Sequence, residues 1–407
     1  MRNPCNNSYF PLSEYERRVE RIGEALRENM LDAILLAQQY NVTYSSGMLH
    51  GSWKHSFGES TLCVLITARR GDEPTLVTQE GLRGCTDTSA FSDIRILKNF
   101  LSSEGIASIS ALFAEKGLTG ARIGYENLFN ERMGFTEPFF KKVKEELPGV
   151  EWVEASNIMY SIRKVKSPLE IEKVRTAVEL TCRAYEYALP RAREGMSEKE
   201  LGGMIASFMA SNCIDVCVNE PWFIYVHADG KNPLAWDGVP SDYRFKKGDC
   251  LYVDCGFCYQ GYSADFIRVV SIGEPQPEKA RIYYGAREAN MALIEHIRPG
   301  MKCSELFEFL GSKISSLGFS SEVKAMSEYG FFYEGHGIGL SLHEPPVITP
   351  DCDDIIVPNM TMSIEGNIFT PLPFSQKTIC LKNEENILVT QTGCERLSNI
   401  SNDIWIV

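Results

Sequence analysis

A helix-capping motif at residues 167–170 divides the chain into two segments with different sequence patterns. Ser167 can accept a hydrogen bond from the amide of Glu170, Glu170 can return one, and Pro168 suits the first helical position. The motif predicts a long helix that extends to about residue 188. A chain of 407 residues has room for two or three domains. We predict two, at residues 1–160 and 161–407.

The first segment alternates between helical and strand-like patterns. Apolar residues at three- and four-residue intervals predict an amphipathic helix near the start: Tyr15, Val19, Ile22 and Leu26. Strand-like runs and helical patterns then follow in turn, the strands at 32–37 and 61–67 and the helices at 106–115 and 133–146. Strands interleaved with helices indicate an α/β domain.

The second segment groups its elements differently. Further helices are predicted at 197–210 and 278–297, whereas 222–270 and 360–398 are rich in β-branched residues and turn signals. This grouping indicates an α+β domain.

Composition excludes several classes of protein. With 41 basic and 54 acidic residues the net charge is -13, which makes nucleic acid an unfavourable partner. No apolar run approaches the roughly 18 residues of a membrane span. The 13 cysteines form an odd set and no signal peptide precedes them, so we predict free thiols in the cytoplasm. The Cys255-Gly-Phe-Cys258 spacing is interpreted as structural.

Asp254 and Asp265 lie in two strand-like runs that resemble the arms of a hairpin. If Tyr259 and Gln260 form the turn, the two aspartates face each other with Cβ atoms about 4.5–5.5 Å apart. Two opposed carboxylates need a neutralising group, and a divalent cation would serve. A bulge or a longer turn would instead shift the register and leave both aspartates solvated.

Histidines and glutamates elsewhere in the second segment are also candidates. His336 and His343 lie in the Gly-rich run EGHGIGLSLHEPP, where the glycines permit close backbone approach. Glu365 and the adjacent pair Glu384 and Glu385 lie inside apolar strand patterns, where a carboxylate is costly unless it is paired or metal-bound. Mostly oxygen donors with one imidazole suit Mn²⁺, Fe²⁺, Co²⁺ or Zn²⁺ pairs.

With these features the sequence resembles the pita-bread family of creatinase, methionine aminopeptidase, aminopeptidase P and prolidase. The resemblance covers nearly the whole chain. It is carried, in the family's order, by FPLSEYERR (10–18), NVTYSSG (41–47), RKVKS (163–167), GHGIG (335–339) and EENILVT (384–390). It implies a creatinase-like N-terminal α/β domain and a pita-bread α+β catalytic domain.

The resemblance also implies a site. Its dinuclear-metal ligands would be Asp254, Asp265, His336, Glu365 and Glu384, and the site would bind two divalent ions (Mn, Co, Fe or Zn). His343 would hydrogen-bond the substrate carbonyl or its oxyanion, and Glu365 would also shuttle the proton. The implied enzyme is a metallohydrolase in which hydroxide held by the metals attacks an amide, as in an Xaa-Pro dipeptidase.

Two departures from the family concern the substrate pocket. Asp237, or Trp236 if the gap differs by one residue, stands where the metallopeptidases and creatinase have an upstream histidine, and His227 is the nearest replacement. Lys382 replaces the usual arginine and would lose a fork-shaped carboxylate clamp.

The departures keep two other functions open. A carboxylate beside an aromatic ring suits a small cationic substrate, as for an ectoine hydrolase-, creatinase- or dimethylsulfoniopropionate lyase-like enzyme. A non-enzymatic binding protein with this fold is the third hypothesis. The family resemblance further implies a homodimer in which the loop at 46–57 approaches the partner's cleft, and places Trp53 and His55 at the substrate site.

Overall fold

The computed structural model describes residues 1–2, 8–49, 61–127, 134–212, 222–229, 239–330, 334–371 and 378–407. The described residues up to Arg163 form one compact unit, and those from Lys164 onward form a second. No helix within these ranges is long and apolar enough to cross a membrane.

The first unit is built on a mixed sheet. Its described strands are β1 (Ala33–Leu36), β2 (Cys63–Thr67), β3 (Thr75–Gln79), β4 (Asp93–Leu97), β5 (Arg122–Tyr125) and β6 (Glu151–Glu154). They lie in the order β4-β3-β2-β1-β5-β6, antiparallel across β1, β2 and β3 and parallel at the other pairs.

Helices complete this unit: α1 (Leu12–Glu28), α2 (Gln39–Ser46), α3 (Ser103–Glu115), α4 (Glu137–Glu146) and α5 (Ser156–Arg163), with a 3-10 helix at Glu80–Thr88. Two start away from the predicted residues because of their caps. The Ser102 side chain accepts from the amide of Glu104, so α3 begins before residue 106. The Thr136 side chain caps α4, which begins later than residue 133.

The second unit begins with the predicted capping box, in which Ser167 and Glu170 exchange side-chain to backbone hydrogen bonds. Its helices are α6 (Pro168–Ala188), α7 (Glu198–Asn212), α8 (Pro277–His296), α9 (Cys303–Ile314) and α10 (Ser320–Glu328), with short 3-10 and π turns at Leu189–Arg191 and Ser315–Phe319.

The described strands of this unit form two sheets. The strands are β7 (Trp222–Ala228), β8 (Cys250–Tyr259), β9 (Tyr262–Ser263), β10 (Phe266–Ser271), β11 (Gly335–Gly337), β12 (Glu344–Val347), β13 (Thr361–Thr370), β14 (Ile379–Val389), β15 (Cys394–Arg396) and β16 (Trp405–Ile406). One sheet has the order β16-β10-β8-β7, with β9 on β8, and the other has the order β12-β11-β13-β14-β15. Helix α6 packs on β8, α8 packs on β13 and β14, and β10 contacts β14.

Candidate metal centre

The five predicted ligands come from five different segments of the second unit. Asp254 lies in β8, Asp265 between β9 and β10, His336 in β11, Glu365 in β13 and Glu384 in β14. All except Asp254, which is partly buried, are at least nine-tenths buried. The facing sheets thus direct these side chains to one place, although their positions span 131 residues from Asp254 to Glu384.

The register of the β8–β10 hairpin differs from the predicted one. Tyr259 pairs with Tyr262, so the turn is Gln260-Gly261, and Asp254 faces Ile267 rather than Asp265. Both turn residues have positive φ (47° and 85°), as a two-residue hairpin turn of this hand requires. The ladder breaks between β9 and β10, and this break still brings a carboxylate oxygen of Asp265 within 4.8 Å of one from Asp254.

The chain around the break is fixed by Tyr185 and Asn386. The Tyr185 hydroxyl lies 2.8 Å from the carbonyl oxygen of Val253 and 2.6 Å from that of Phe266. The Asn386 side chain donates to the carbonyl oxygen of Asp265 (2.6 Å) and accepts from its amide (2.9 Å). Both polar side chains are fully buried, so the backbone on either side of the two aspartates is held in place.

His336 is oriented by its own backbone. Nδ1 lies 2.9 Å from the carbonyl oxygen of Gly337, which assigns the proton to Nδ1 and the lone pair to Nε2. Nε2 lies 3.5 Å from Oδ2 of Asp265 and 3.9 Å from Oε1 of Glu365. Gly335 has φ of 143°, and a Cβ there would lie 2.5 Å from the carbonyl oxygen of Ser363. The glycine therefore allows β11 to approach β13 closely, as the Gly-rich run predicted.

His343 approaches the same aspartate from a more open position. Its Nε2 lies 3.7 Å from Oδ2 of Asp265, and its side chain is 64% exposed. The ring is nearly perpendicular to that of His336, at a centroid distance of 4.2 Å. A substrate can therefore reach His343, whereas His336 is covered.

The adjacent glutamates of β14 face opposite sides of the sheet. Glu384 pairs directly with Glu365 across β13 and β14, and its Oε1 accepts a hydrogen bond from Ser363 at 2.5 Å. Glu385 points away and forms a fully buried ion pair with Arg268 at 3.1 Å. The structure thus brings the first of the two glutamates to the site.

Burial makes this group of acids costly without a cation. Burial, followed by the charge of Asp265, raises the pKa of Asp254 and of Glu384 well above the usual carboxyl range. Burial also acts to raise the pKa of Asp265, but the neighbouring imidazoles of His336 and His343 bring it below its ordinary value. Oδ1 of Asp254 is buried and receives no hydrogen bond.

Three groups of donors each place one ligand atom per residue within 4.8 Å of the others: Asp265, His336 and His343; His336, Glu365 and Glu384; and Asp254, Asp265 and Glu384. Carboxylate oxygens with imidazole nitrogen are the donors that first-row divalent ions accept. The hydrogen-bond vacancy at Asp254 Oδ1 and the raised carboxyl pKa values both fit such ions.

Sequence reasoning assigned no role to Glu334, which the structure places beside the site. Glu334 is 6% exposed, and its Oε2 has no hydrogen-bond partner. Burial, and then the charge of Glu365, raises its pKa well above the ordinary value. The sequence feature that could have pointed to Glu334 is its spacing: it precedes His336 by two residues, and in an extended segment such residues lie on the same face.

The structure describes only some of the residues that were predicted to line the substrate pocket. His227 lies on β7 opposite Tyr252, buried and stacked on that ring at 5.2 Å, two residue pairs along β8 from Asp254. Lys382 is 9% exposed, two residues before Glu384 and thus on the same face of β14. Asp237, Trp236, Trp53 and His55 lie outside the described residues.

Family models match both units. The model of metallopeptidase family M24 matches residues 172–391, and that of the creatinase/prolidase N-terminal domain matches residues 18–165. Solved structures confirm the predicted fold class. Dipeptidase PepE from Mycobacterium ulcerans superposes with a TM-score of 0.80 at 22% identity, covering 98% of this chain and 99% of its own.

Relatives from two archaeal species span the same length. The Xaa-Pro dipeptidase of Pyrococcus furiosus is 27% identical over 395 residues, covering 96% of this chain and 99% of the relative. That of Pyrococcus horikoshii is 26% identical over 390 residues, covering 95% and 98%. These matches do not favour the small-molecule enzymes or the binding protein. The chain is therefore a metal-dependent hydrolase that belongs to metallopeptidase family M24, as its sequence predicted.

Proposed function

We propose that this protein is an Xaa-Pro dipeptidase whose site holds two divalent metal ions. The main support for the proposal is that two of the three groups of metal-donor residues have one carboxylate in common. Glu384 belongs both to the group with His336 and Glu365 and to the group with Asp254 and Asp265. Two groups that share one carboxylate suit two bridged ions. The relatives named Xaa-Pro dipeptidase supply the substrate class.

The donor set favours manganese, cobalt, iron or zinc, because oxygen ligands outnumber the single buried imidazole. When bound, these ions would polarise the scissile carbonyl and lower the pKa of water. Glu365 would take the proton from the attacking water and pass it to the departing proline nitrogen. His343, exposed beside Asp265, would donate a hydrogen bond to the carbonyl oxygen as it becomes negative.

Lys382 would bind the carboxylate of the proline residue. Its position on the Glu384 face of β14 supports this role. Its charge lies close enough to Asp254 to oppose in part the rise in the pKa of that carboxyl, which burial and Asp265 cause. An ammonium group is a point charge without the planar fork of arginine. We therefore expect a weaker and less directional contact than an arginine would give.

Two further features of the proposal concern the whole protein. The family resemblance supports a homodimer, which light scattering of the purified protein would test. A cytoplasmic location is supported by nine cysteines whose side chains the structure describes, all of them free thiols.

The test is hydrolysis by protein stripped with chelator and reloaded with one metal at a time. Ala-Pro should be cleaved and the sequence-reversed Pro-Ala should not, with activity rising as up to two ions per chain bind. A protein that binds metal but cleaves no Xaa-Pro dipeptide would overturn the dipeptidase assignment. A protein that binds no divalent ion would overturn the metal centre itself.

A further inference from the structure

A buried ion pair joins the segment before α6 to the start of β12. Lys166 Nζ lies 2.6 Å from Oε1 of Glu344, and both side chains are only 2% exposed. Neither residue is among the five candidate metal ligands, and the proposed mechanism gives neither a role. A buried ion pair contributes little net stability, because removing both charges from water offsets much of their attraction. Its consequence therefore lies in the segments that it joins.

Lys166 belongs to a segment that hydrogen bonds hold in place. Its backbone amide donates to the carbonyl oxygen of Asn359 at 3.0 Å. The next residue, Ser167, is the N-cap of α6 and exchanges hydrogen bonds with Glu170 in the capping box. The backbone is thus held at Lys166 and directly after it, so the ammonium group is a fixed point for the carboxylate of Glu344.

Glu344 closes the loop that carries His343. Strands β11 and β12 pair through Gly337 and Glu344, so residues 338–343 form the connection between them, the His343 loop. His343 is the last residue of this loop, and its Nε2 lies 3.7 Å from Oδ2 of Asp265. Holding the side chain of Glu344 therefore restricts the backbone directly next to His343.

Gly339, in the same loop, packs against the ion pair. A Cβ there would lie 2.5 Å from Oε1 of Glu344 and 3.0 Å from Cε of Lys166, so a side chain would displace the pair. The carbonyl oxygen of Gly339 accepts a hydrogen bond from the amide of Ser263 at 2.9 Å, two residues before Asp265. The His343 loop is thus fastened both to the ion pair and to the chain that carries Asp265.

We propose that Lys166 is a positioning residue for His343. Through Glu344 it fixes the end of the His343 loop and so keeps the imidazole beside Asp265, where it would meet the carbonyl oxygen of the substrate. The inference rests on the proposed function, in which His343 donates a hydrogen bond to that oxygen. Lys166 takes no part in the chemistry itself.

The test is a double-mutant cycle between Lys166 and His343 in metal-loaded protein. Lys166→Met should lower kcat for Ala-Pro by about 10–100-fold and leave metal content and KM within about twofold, since a small misplacement of a catalytic group is costly. In a His343→Ala background the same substitution should lower kcat by less than about threefold, because the group it positions is already absent. Equal fold losses in both backgrounds would overturn the proposal.

A second and a third variant separate position from stability. Lys166→Met leaves Glu344 as a buried charge without this partner, which destabilises the fold. Adding Glu344→Gln removes that charge and should restore stability in urea but not kcat. Gly339→Ala keeps both charges, displaces the pair and should lower kcat with the same dependence on His343. Recovery of kcat in the double variant, or an unchanged kcat in Gly339→Ala, would overturn the proposal.

Lys279→Met is the matched control. Lys279 Nζ lies 2.7 Å from Oδ2 of Asp229, with side chains 12% and 4% exposed, and Asp229 accepts from the amide of Cys250 at the start of β8. This pair fastens β8 rather than the His343 loop, so its loss should lower stability and change kcat by the same factor with or without His343. Failure of the wild type to cleave Ala-Pro would remove the proposed function, whereas independent losses in an active enzyme would remove only the positioning role.

Discussion

Glu365 and Glu384 stand directly opposite each other on β13 and β14, whereas Glu385, one residue further along, faces the other side of the sheet. The first two contribute to one donor group with His336. Glu385 is instead paired with Arg268, both fully buried. Successive side chains in a strand point to opposite faces of the sheet. Glu384 therefore faces the donor group, whereas Glu385 faces Arg268.

This alternation predicts opposite effects for two isosteric substitutions. Glu384→Gln should lower metal content and abolish turnover while the fold survives. Glu385→Gln should keep the metal but lower the free energy of unfolding by about 3–5 kcal/mol, because Arg268 is left as a buried unpaired charge. Metal analysis and urea unfolding of both variants separate the effects. Loss of metal from Glu385→Gln alone would reverse the assignment.

Removing a carboxylate from the centre should also remove metal. Asp265→Ala and Glu365→Ala are expected to abolish turnover and to lower metal content below that of the wild type, since each residue belongs to at least one donor group. Glu395→Ala, at a half-exposed carboxylate on β15 paired with Arg175, is the control and should change neither. Full metal occupancy in both site variants would contradict the ligand assignment.

Local signals predicted much of the fold. The capping box at Ser167 fixed the start of α6 because its hydrogen bonds involve only neighbouring residues. The predicted register of the β8–β10 hairpin was wrong, because the register depends on which two residues form the turn. Gln260-Gly261 takes positive φ at both positions, and only the glycine signals this in the sequence. Asp254 and Asp265 still meet, through a strand break that no periodicity indicates.

Contacts between distant segments explain what sequence reasoning missed at the site. The resemblance selected five side chains that the structure brings together, and their role as ligands stays a prediction. It did not select Glu334, because the run around His336 carries no signal that its neighbour is buried beside Glu365.

His343 should act in turnover without holding the metal. Its exposure and its position beside Asp265 suit a hydrogen bond to substrate. His343→Ala is expected to lower kcat by about 10²–10³-fold, the usual effect of losing one oxyanion donor, with metal content unchanged. Parallel metal analysis and kinetics provide the measurement. Loss of an ion from this variant would make His343 a ligand, as its donor group with Asp265 and His336 also permits.

Metal-free protein should lose stability as pH rises. The pKa values of Asp254, Glu334 and Glu384 are raised mainly by burial, so the folded state holds protons that the unfolded state releases above about pH 4. Each extra proton lowers the free energy of unfolding by about 1.4 kcal/mol per pH unit. Asp265, with a lowered pKa, opposes this trend only at more acidic pH.

Urea unfolding in chelator at pH 5.5 and 8 measures this slope. Glu334→Gln should reduce it, since one proton-binding carboxyl is removed, and reloading with Mn²⁺ should stabilise the protein most at pH 8, where the ligands are already deprotonated. Equal stability at both pH values without metal would show that the acids are ionised in the folded state.

Lys382 should distinguish substrates by their C-terminal carboxylate. Its side chain is 9% exposed, on the same face of β14 as Glu384, with Nζ 5.9 Å from the centre of the Tyr252 ring. If it binds the proline carboxylate, Lys382→Ala should raise KM for Ala-Pro by about 10–100-fold, as expected when one charge-assisted hydrogen bond of ~1.5–3 kcal/mol is lost. Ala-Pro-amide has no carboxylate, so its KM should change little in the same variant. Lys382→Arg should retain the preference for the acid, because a guanidinium keeps the charge and adds a second donor. Equal losses for acid and amide in Lys382→Ala would place the lysine in the structure of the pocket rather than in substrate recognition.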